Sequence, residues 1–287
     1  MRLSTDITKE ITVREFDLQL WVATDLLRLR SLHYGYWANG EAVKLDFKII
    51  RQAQARYTKL LVNTVPPGVR TILDVGCGVG CNARALTQKG YKVTSISPDA
   101  NHEKFFSDAP EPLRFCRSKY EDFSSNDRYD LVLMSESQNY FDADTGLTQT
   151  RRLLTSGGYL LICGMFRKKD TREFDQVRNV EEEYLRKAQQ HGFELVERVD
   201  ITPNVTPTLD IVRMAKEEYV TPLVSAASGN GRRWKLMIAG LLFRKELGQL
   251  RRIQRYYEEF SDSQFFSEHV SYLKLLFRHK EPGERAN

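Results

Sequence analysis

This chain has little cysteine and histidine and no long uninterrupted apolar sequence. Four cysteines in 287 residues, Cys77, Cys81, Cys116 and Cys163, are too few for a disulfide scaffold. Cys77 and Cys81 stand four apart with no second Cys/His pair at ligand spacing, so no metal centre is expected. Each cysteine lies in or beside an apolar or glycine-rich segment, where a free thiol behaves as a small hydrophobe, and a reducing cytoplasm is the expected setting. The longest apolar run, around Tyr159 to Phe166, falls well short of the ~20 residues that span a bilayer. The opening residues, MRLSTDITKE, carry no apolar core of a signal peptide. Secretion and membrane spanning are therefore not expected. Internal repeats and low-complexity tracts are missing too.

What is present is ample material for a core. Hydrophobic residues make up 41% and charged residues 28% of the chain, which excludes disorder. The length suits two average domains or one enlarged α/β domain. The net charge of +5 is unevenly spread: Arg232 to Arg255 holds eight Lys/Arg against Glu246 alone, net +7, leaving −2 elsewhere. That segment reads as a solvated face over an apolar stripe, or as an attractor for an anionic acceptor or a membrane surface it touches transiently. Nucleic acid ranks last, because no RNA-binding signature accompanies the charge.

Three zones follow one another. Residues 1–68 read as an N-terminal helical cap, with Phe16, Leu20, Ala23 and Leu27 near helical spacing. Residues 69–201 alternate strands and helices: TILDV (71–75), a helix over 82–90 closed by Gly90, KVTSIS (92–97), LRFCRS (113–118) and DLVLMSE (130–136). A helix around 144–154 ends near Ser156-Gly157-Gly158, and YLLICGMF (159–166) is a fully apolar strand. A helix near 180–191 stops at Gly192 before FELVERVDI (193–201). This rhythm predicts a doubly wound, mostly parallel sheet with helices on both faces. The third zone, 202–271, is helix-rich and aromatic. YLKLLFRHK (272–280) opens the last stretch, 272–287, as a strand or a helix.

The sharpest local signal is TILDVGCGVGCNARAL: an apolar strand, Asp74, then Gly76, Gly78 and Gly80, then a helix. A dinucleotide loop reads G-x-G-x-x-G and seats a pyrophosphate on the helix N-terminus. Here the third glycine comes one residue early and an acid precedes the first by two. That pattern suits a ligand with a cationic amino group and no phosphate.

The stretch resembles motif I of class I S-adenosylmethionine-dependent methyltransferases. YDLVLMSESQNYF resembles their fourth-strand segment and LLTSGGYLLI their fifth strand with its preceding glycines, in the right order over roughly 70–200. The resemblance implies a Rossmann-like methyltransferase core and S-adenosylmethionine as cofactor. It brings Asp74, Gly76, Cys77, Gly78 and Gly80 against the methionine part, with Ser135 at the end of the fourth strand nearby. The family normally ends its second strand with an acid on both ribose hydroxyls; this chain has Ser97, then Pro98 and Asp99. Either Asp99 is displaced into that role, or Ser97 and water serve, or Asp99 only caps the helix starting near Ala100. In SKYEDF (118–123) the resemblance places adenine beside the Tyr120 main chain and Glu121, with Lys119 where an acid is usual.

LHYGYW (32–37) resembles the H-x-G-Y-W segment preceding motif I in methyltransferases of lipids and prenylated compounds and in cyclopropane synthases. There it closes over the cofactor, which implicates Tyr34 and Trp37; alternatively these aromatics pack helices on the sheet. About 70 residues separate FELVERVDI from YLKLLFRHK, where a bare core has a tight hairpin. Trp234, Met237, Ile238, Leu241 and Leu242 form a helical stripe there, followed by Tyr256, Tyr257, Phe260, Phe265 and Phe266. We read this insertion as a helical lid over a hydrophobic acceptor: a lipid, fatty acid, prenyl or polyketide-like compound, with an anionic group as one version.

No catalytic triad is needed, since the sulfonium already activates its methyl group. His33 in the cap, and Glu136 and Tyr140 at the end of the fourth strand, are the catalytic candidates. His102 and His191 read as surface or capping residues, and His269 and His279 are uninformative. Asn139-Tyr140 replaces the E-H pair of cyclopropane synthases, which argues against cyclopropanation. The rival readings are a non-catalytic scaffold with this fold and an NAD(P)-linked oxidoreductase. The sequence leaves open the oligomeric state and whether oxygen, nitrogen or carbon is methylated.

Overall fold

The computed structural model describes residues 20, 24, 25, 28–38, 40, 41, 43–215, 217, 218 and 262–280. The first long helix, α1 (Phe47–Thr64), starts where the Asp46 side chain accepts the Lys48 N–H at 2.7 Å. It buries Ala53, Tyr57 and Leu61 at four-residue spacing, with Gln54 and Thr58 beside them. Pro66 and Pro67 then prevent continuation.

The core alternates as its hydrophobic pattern predicts. β1 (Thr71–Val75), α2 (Cys81–Gln88), β2 (Lys92–Ser97), a 3-10 helix (Ala100–Phe106), β3 (Arg114–Arg117) and β4 (Tyr129–Ser135) follow in order. Next come α3 (Ala143–Leu153), β5 (Leu154–Arg167), α4 (Glu181–Gln190) and β6 (Phe193–Asp200). The chain then runs through α5 (Thr202–Val205) and α6 (Pro207–Ala215), and after the undescribed stretch through α7 (Ser263–His269) and β7 (Val270–His279). The seven strands form one sheet in the order β3-β2-β1-β4-β5-β7-β6. Strands β1 to β5 are parallel neighbours; β7 inserts antiparallel between β5 and β6. The doubly wound, mostly parallel sheet expected from the sequence is thus the observed one.

Alternation along β1 divides the core between two faces. Ile72 joins Tyr57, Leu61, Ala83 and Leu86 beneath α1 and α2, whereas Leu73 and Val75 join Leu147, Leu153, Tyr184 and Ala188 beneath α3 and α4. A small third cluster gathers Trp37, Ala53 and Ile211. Phe265 and Phe266 pack on Phe174, with ring centres 5.5 and 5.6 Å away. Among the described residues no helix is long and apolar enough to cross a membrane.

One local reading needs correction and one open choice is decided. The Ser156-Gly157-Gly158 segment does not form the close of a helix; α3 ends at Leu153 and β5 already begins at Leu154. Gly157, at φ +67°, carries the chain through a register irregularity opposite Tyr129 and Leu131. Of the two forms open to YLKLLFRHK the strand is the one adopted, because Tyr272 to His279 each find a partner on β5 or β6. The expected apolar stripe from Trp234 to Leu242, Tyr256, Tyr257, Phe260, the basic segment Arg232–Arg255, and Phe16, Ala23 and Leu27 lie outside the described residues.

Candidate active site

The carboxyl ends of β1, β2 and β4 come together beneath the glycine loop. Gly76 and Cys77 N–H groups donate to the Ile96 carbonyl at 2.9 and 3.2 Å, seating the loop on the end of β2. Gly76, Gly78 and Gly80 all adopt left-handed backbone, φ +72°, +53° and +78°. Side chains are excluded for different reasons along the loop. A Cβ on Gly76 falls 2.5 Å from the Ser137 Cβ, and one on Gly80 2.7 Å from the Phe106 ring. At Gly78 a Cβ meets only Leu32 Cδ1, at 3.6 Å. Among the described residues nothing else lies within 4 Å of that position.

Asp74 stands at the foot of this loop, 1% exposed. Its Oδ2 is buried with no hydrogen-bond partner among the described residues. Burial pushes its carboxyl up to about 7. A buried carboxylate oxygen lacking a donor is a place for an incoming cation or N–H group. Cys77, next to it, is no nucleophile: burial and the Asp74 carboxylate raise its thiol far above the usual range.

Across the loop lies a second carboxylate. Glu136 follows β4 directly and holds φ +62°, left-handed for a side chain that disfavours it. Neighbouring groups fix that turn. Ser137 Oγ donates to the Val75 carbonyl at 2.6 Å, Gln138 and Asn139 amides both donate to the Met165 carbonyl at 3.0 Å, and Asn179 donates to Asn139 Oδ1 from its backbone N–H and to the Gln138 carbonyl from its side chain, each at 3.0 Å. Glu136 Oε1 accepts from the Tyr34 N–H at 3.1 Å and from the Tyr272 hydroxyl. The Tyr272 hydroxyl lies 2.9 Å from that of Tyr57, which is 3.2 Å from Ser135 Oγ. Desolvation outweighs these donors and pushes the Glu136 carboxyl up to about 7.

The remaining expected residues distribute themselves around these two acids. His33 sits in the site, half-buried, with both ring nitrogens engaged. Its Nδ1 is 2.7 Å from the Tyr34 carbonyl, its Nε2 3.2 Å from Thr58 Oγ1, and its ring stacks on Tyr57 at 4.2 Å. Burial lowers its pKa to about 4. Tyr34 packs edge-on to Tyr272 at 5.5 Å. Trp37 is buried against Ala53 and Ile211, and its Nε1–H donates to Thr208 Oγ1 at 2.9 Å, so it ties the N-terminal segment to α6. Tyr140 is 78% exposed at the rim. The Tyr120 hydroxyl bonds Thr150 in the core at 2.7 Å, Glu121 is exposed, and Pro98 is exposed beyond β2. Asp99 caps the 3-10 helix through Asn101 N–H, as one of the three sequence readings has it.

Tyr57, Tyr272 and Asn179 escaped the sequence reading. Tyr272 reaches the site only through the antiparallel register that pairs it with Met165. Tyr57 comes to the H-x-G-Y-W segment only through the packing of that segment on α1, where a Cβ on Gly35 would meet the Ala53 Cβ at 2.6 Å.

A sheet of this order, with a buried acid near the end of its first strand and a left-handed glycine loop between that strand and the next helix, defines a class I S-adenosylmethionine-dependent methyltransferase. The model of the family described as a methyltransferase domain matches residues 48–201, more than half the chain, and the chain belongs to that family. A [4+2]-cyclase, SpnF, shares the fold with TM-score 0.67 and 19% identity over 92% of this chain and 95% of that one. The cyclopropane synthase MmaA2 from Mycobacterium tuberculosis gives TM-score 0.65 and 17% identity over 92% and 94%. Geranyl diphosphate C-methyltransferase from Streptomyces coelicolor A3(2) gives TM-score 0.62 and 14% identity over 97% and 99%. The biotin biosynthesis bifunctional protein BioCD of Bordetella avium (strain 197N) is 31% identical over 103 residues, 34% of this chain and 22% of that protein. The chain thus matches about a fifth of that curated relative's length.

The donor set fits the cofactor. The orphaned Asp74 oxygen answers an ammonium group, and among the described residues only Leu32 comes within 4 Å of a Cβ on Gly78.

Proposed function

We infer that this chain transfers a methyl group from S-adenosylmethionine to a hydrophobic small molecule, with Asp74 holding the cofactor and Glu136 accepting a proton. The observation that carries the reading is the buried, unpartnered Asp74 oxygen at the foot of a glycine loop too open for a side-chain lining and too acidic for a pyrophosphate.

When bound, the cofactor supplies an activated methyl group on a sulfonium. Asp74 receives the ammonium, which replaces the missing donor and returns the carboxyl to its ionised form. The loop backbone and Ser135 border the methionine arm, and Tyr120 main chain and Glu121 stand where adenine is expected. Glu136, with a carboxyl poised near neutrality and neutral donors around it, takes the proton of an acceptor hydroxyl or carbon acid. Tyr272 shares that proton and holds the carboxylate in place. His33 supports Tyr57 instead of acting as the base, because both its nitrogens are engaged. Tyr140 lies at the rim, where an acceptor enters. Aromatic lining from Tyr34 and the fold it shares with enzymes named for prenyl and cyclopropane chemistry support an apolar acceptor. A cytoplasmic setting suits the four free thiols.

The [4+2]-cyclase on the same fold favours one alternative, an enzyme that keeps the cofactor without transferring its methyl group. Incubation with methyl-labelled S-adenosylmethionine and a panel of prenyl alcohols, fatty acids and phenols separates the two. Labelled apolar product that disappears in Glu136→Gln supports transfer; cofactor binding without label transfer across the panel supports the alternative.

A further inference from the structure

Ser97 stands where the family's acid is expected, and its hydroxyl is built into a small relay. His102 Nδ1 lies 2.8 Å from Ser97 Oγ, and His102 Nε2 lies 3.6 Å from Asp99 Oδ2. The Asp99 N–H donates to Ser97 Oγ at 3.2 Å, while Asp99 Oδ1 accepts from Asn101 N–H at 2.8 Å. A neutral imidazole has one N–H and one bare nitrogen. A carboxylate facing Nε2 favours the proton there and leaves Nδ1 bare, to accept the Ser97 O–H. One lone pair of Ser97 Oγ is taken by the Asp99 N–H. One lone pair remains. Toward an incoming ligand the hydroxyl is thereby an acceptor and not a donor.

Its position gives that lone pair a use. Asp74 pairs in register with Ser95 on the neighbouring parallel strand, so Ser97, two residues further on, lies on the same sheet face as Asp74. The glycine loop is seated between them by its bonds to the Ile96 carbonyl. With its ammonium at Asp74, S-adenosylmethionine would have its ribose at the end of β2, as the resemblance to the family implies.

We propose that the Asp99–His102–Ser97 relay reads the cofactor ribose in this chain, and that it recognises a single ribose hydroxyl by accepting its proton. A carboxylate at position 97 would accept from both hydroxyls; a serine whose own proton is committed accepts from one. His102 is a positioning residue here, acting through Ser97. The chain therefore discriminates sharply at one ribose hydroxyl and tolerates change at the other. The inference rests on the glycine loop being the S-adenosylmethionine site.

Calorimetric titration with S-adenosylhomocysteine and its 2′-deoxy and 3′-deoxy analogues tests it. In the wild type, one deoxy analogue binds about tenfold more weakly than the parent, one hydrogen bond's worth, and the other within about twofold. His102→Ala frees the serine proton and shrinks the difference between the analogues, and His102→Gln, whose amide oxygen accepts the Ser97 proton, restores it. Ser97→Asp makes both analogues bind weakly. Nitrogen-15 shifts of the ligand-free protein show His102 as the Nε2–H tautomer. Equal sensitivity to both hydroxyls in the wild type, or a His102 proton on Nδ1, overturns the relay while leaving the cofactor site standing. Absence of S-adenosylhomocysteine binding overturns both.

Discussion

The Tyr272 hydroxyl donates to the Glu136 carboxylate, joining the last strand of the sheet to the turn that follows β4. The same phenol meets Tyr57 from α1, so one hydrogen-bonded chain links three elements that are remote in sequence. The Tyr272 bond lowers the Glu136 pKa, against a larger upward push from desolvation. Tyr272→Phe removes that donor. Carbon-13 titration of the Glu136 carboxyl then shows its midpoint rising above about 7. A midpoint that stays or falls would show that the phenol does not stabilise the ionised carboxylate.

Asp74 makes the ligand-free protein sensitive to pH in a defined direction. Its folded pKa lies at about 7 against 3.8 unfolded, so the folded state holds the extra proton within that window. The Asp74 contribution to stability is present below pH 3.8 and is lost as pH rises through about 7. Thermal melts of Asp74→Asn and wild type without cofactor should therefore diverge in favour of the variant as pH climbs across that range. Added S-adenosylmethionine reverses the order, because the variant lacks the carboxylate that receives the ammonium.

The loop glycines separate folding from binding. Gly76→Ala meets both a left-handed backbone and a Cβ contact of 2.5 Å, and should destabilise by about 3 kcal/mol. Gly78→Ala has space, and should lose only about 1 kcal/mol from its left-handed backbone. Gly78→Val fills the cofactor side of the loop and abolishes binding in a protein that still folds. Denaturant melts paired with cofactor titration distinguish the two positions.

Asn179 is expected to act through Glu136. Its bonds to Gln138 and Asn139 hold the strained turn from behind. Asn179→Ala should lower turnover at least tenfold, leave cofactor affinity within about twofold, and broaden the Glu136 carboxyl resonance. A variant that loses cofactor affinity and turnover equally would assign Asn179 a general structural role instead.

Much of the architecture was legible because local pattern and tertiary structure agree. The apolar runs TILDV, DLVLMSE and YLLICGMF are buried strands, and the early third glycine distinguishes the loop from a dinucleotide motif. What was not legible arises from contacts between distant residues. Tyr272 becomes a partner of Glu136 through the β5–β7 register, His33 is engaged by Thr58 and Tyr57 from α1, and Trp37 is drawn away to Thr208. His102, read as a surface or capping residue, turns onto Ser97, because the 3-10 helix brings its ring back over the end of β2.

The central claim is that the loop after β1, with Asp74 beneath it, holds a sulfonium cofactor. Isothermal titration of S-adenosylmethionine into wild type and Asp74→Asn tests it most directly. The account predicts saturable one-to-one binding to the wild type, weakened at least tenfold by the substitution. Saturable binding of NAD or NADP in its place, indifferent to Asp74, would contradict it.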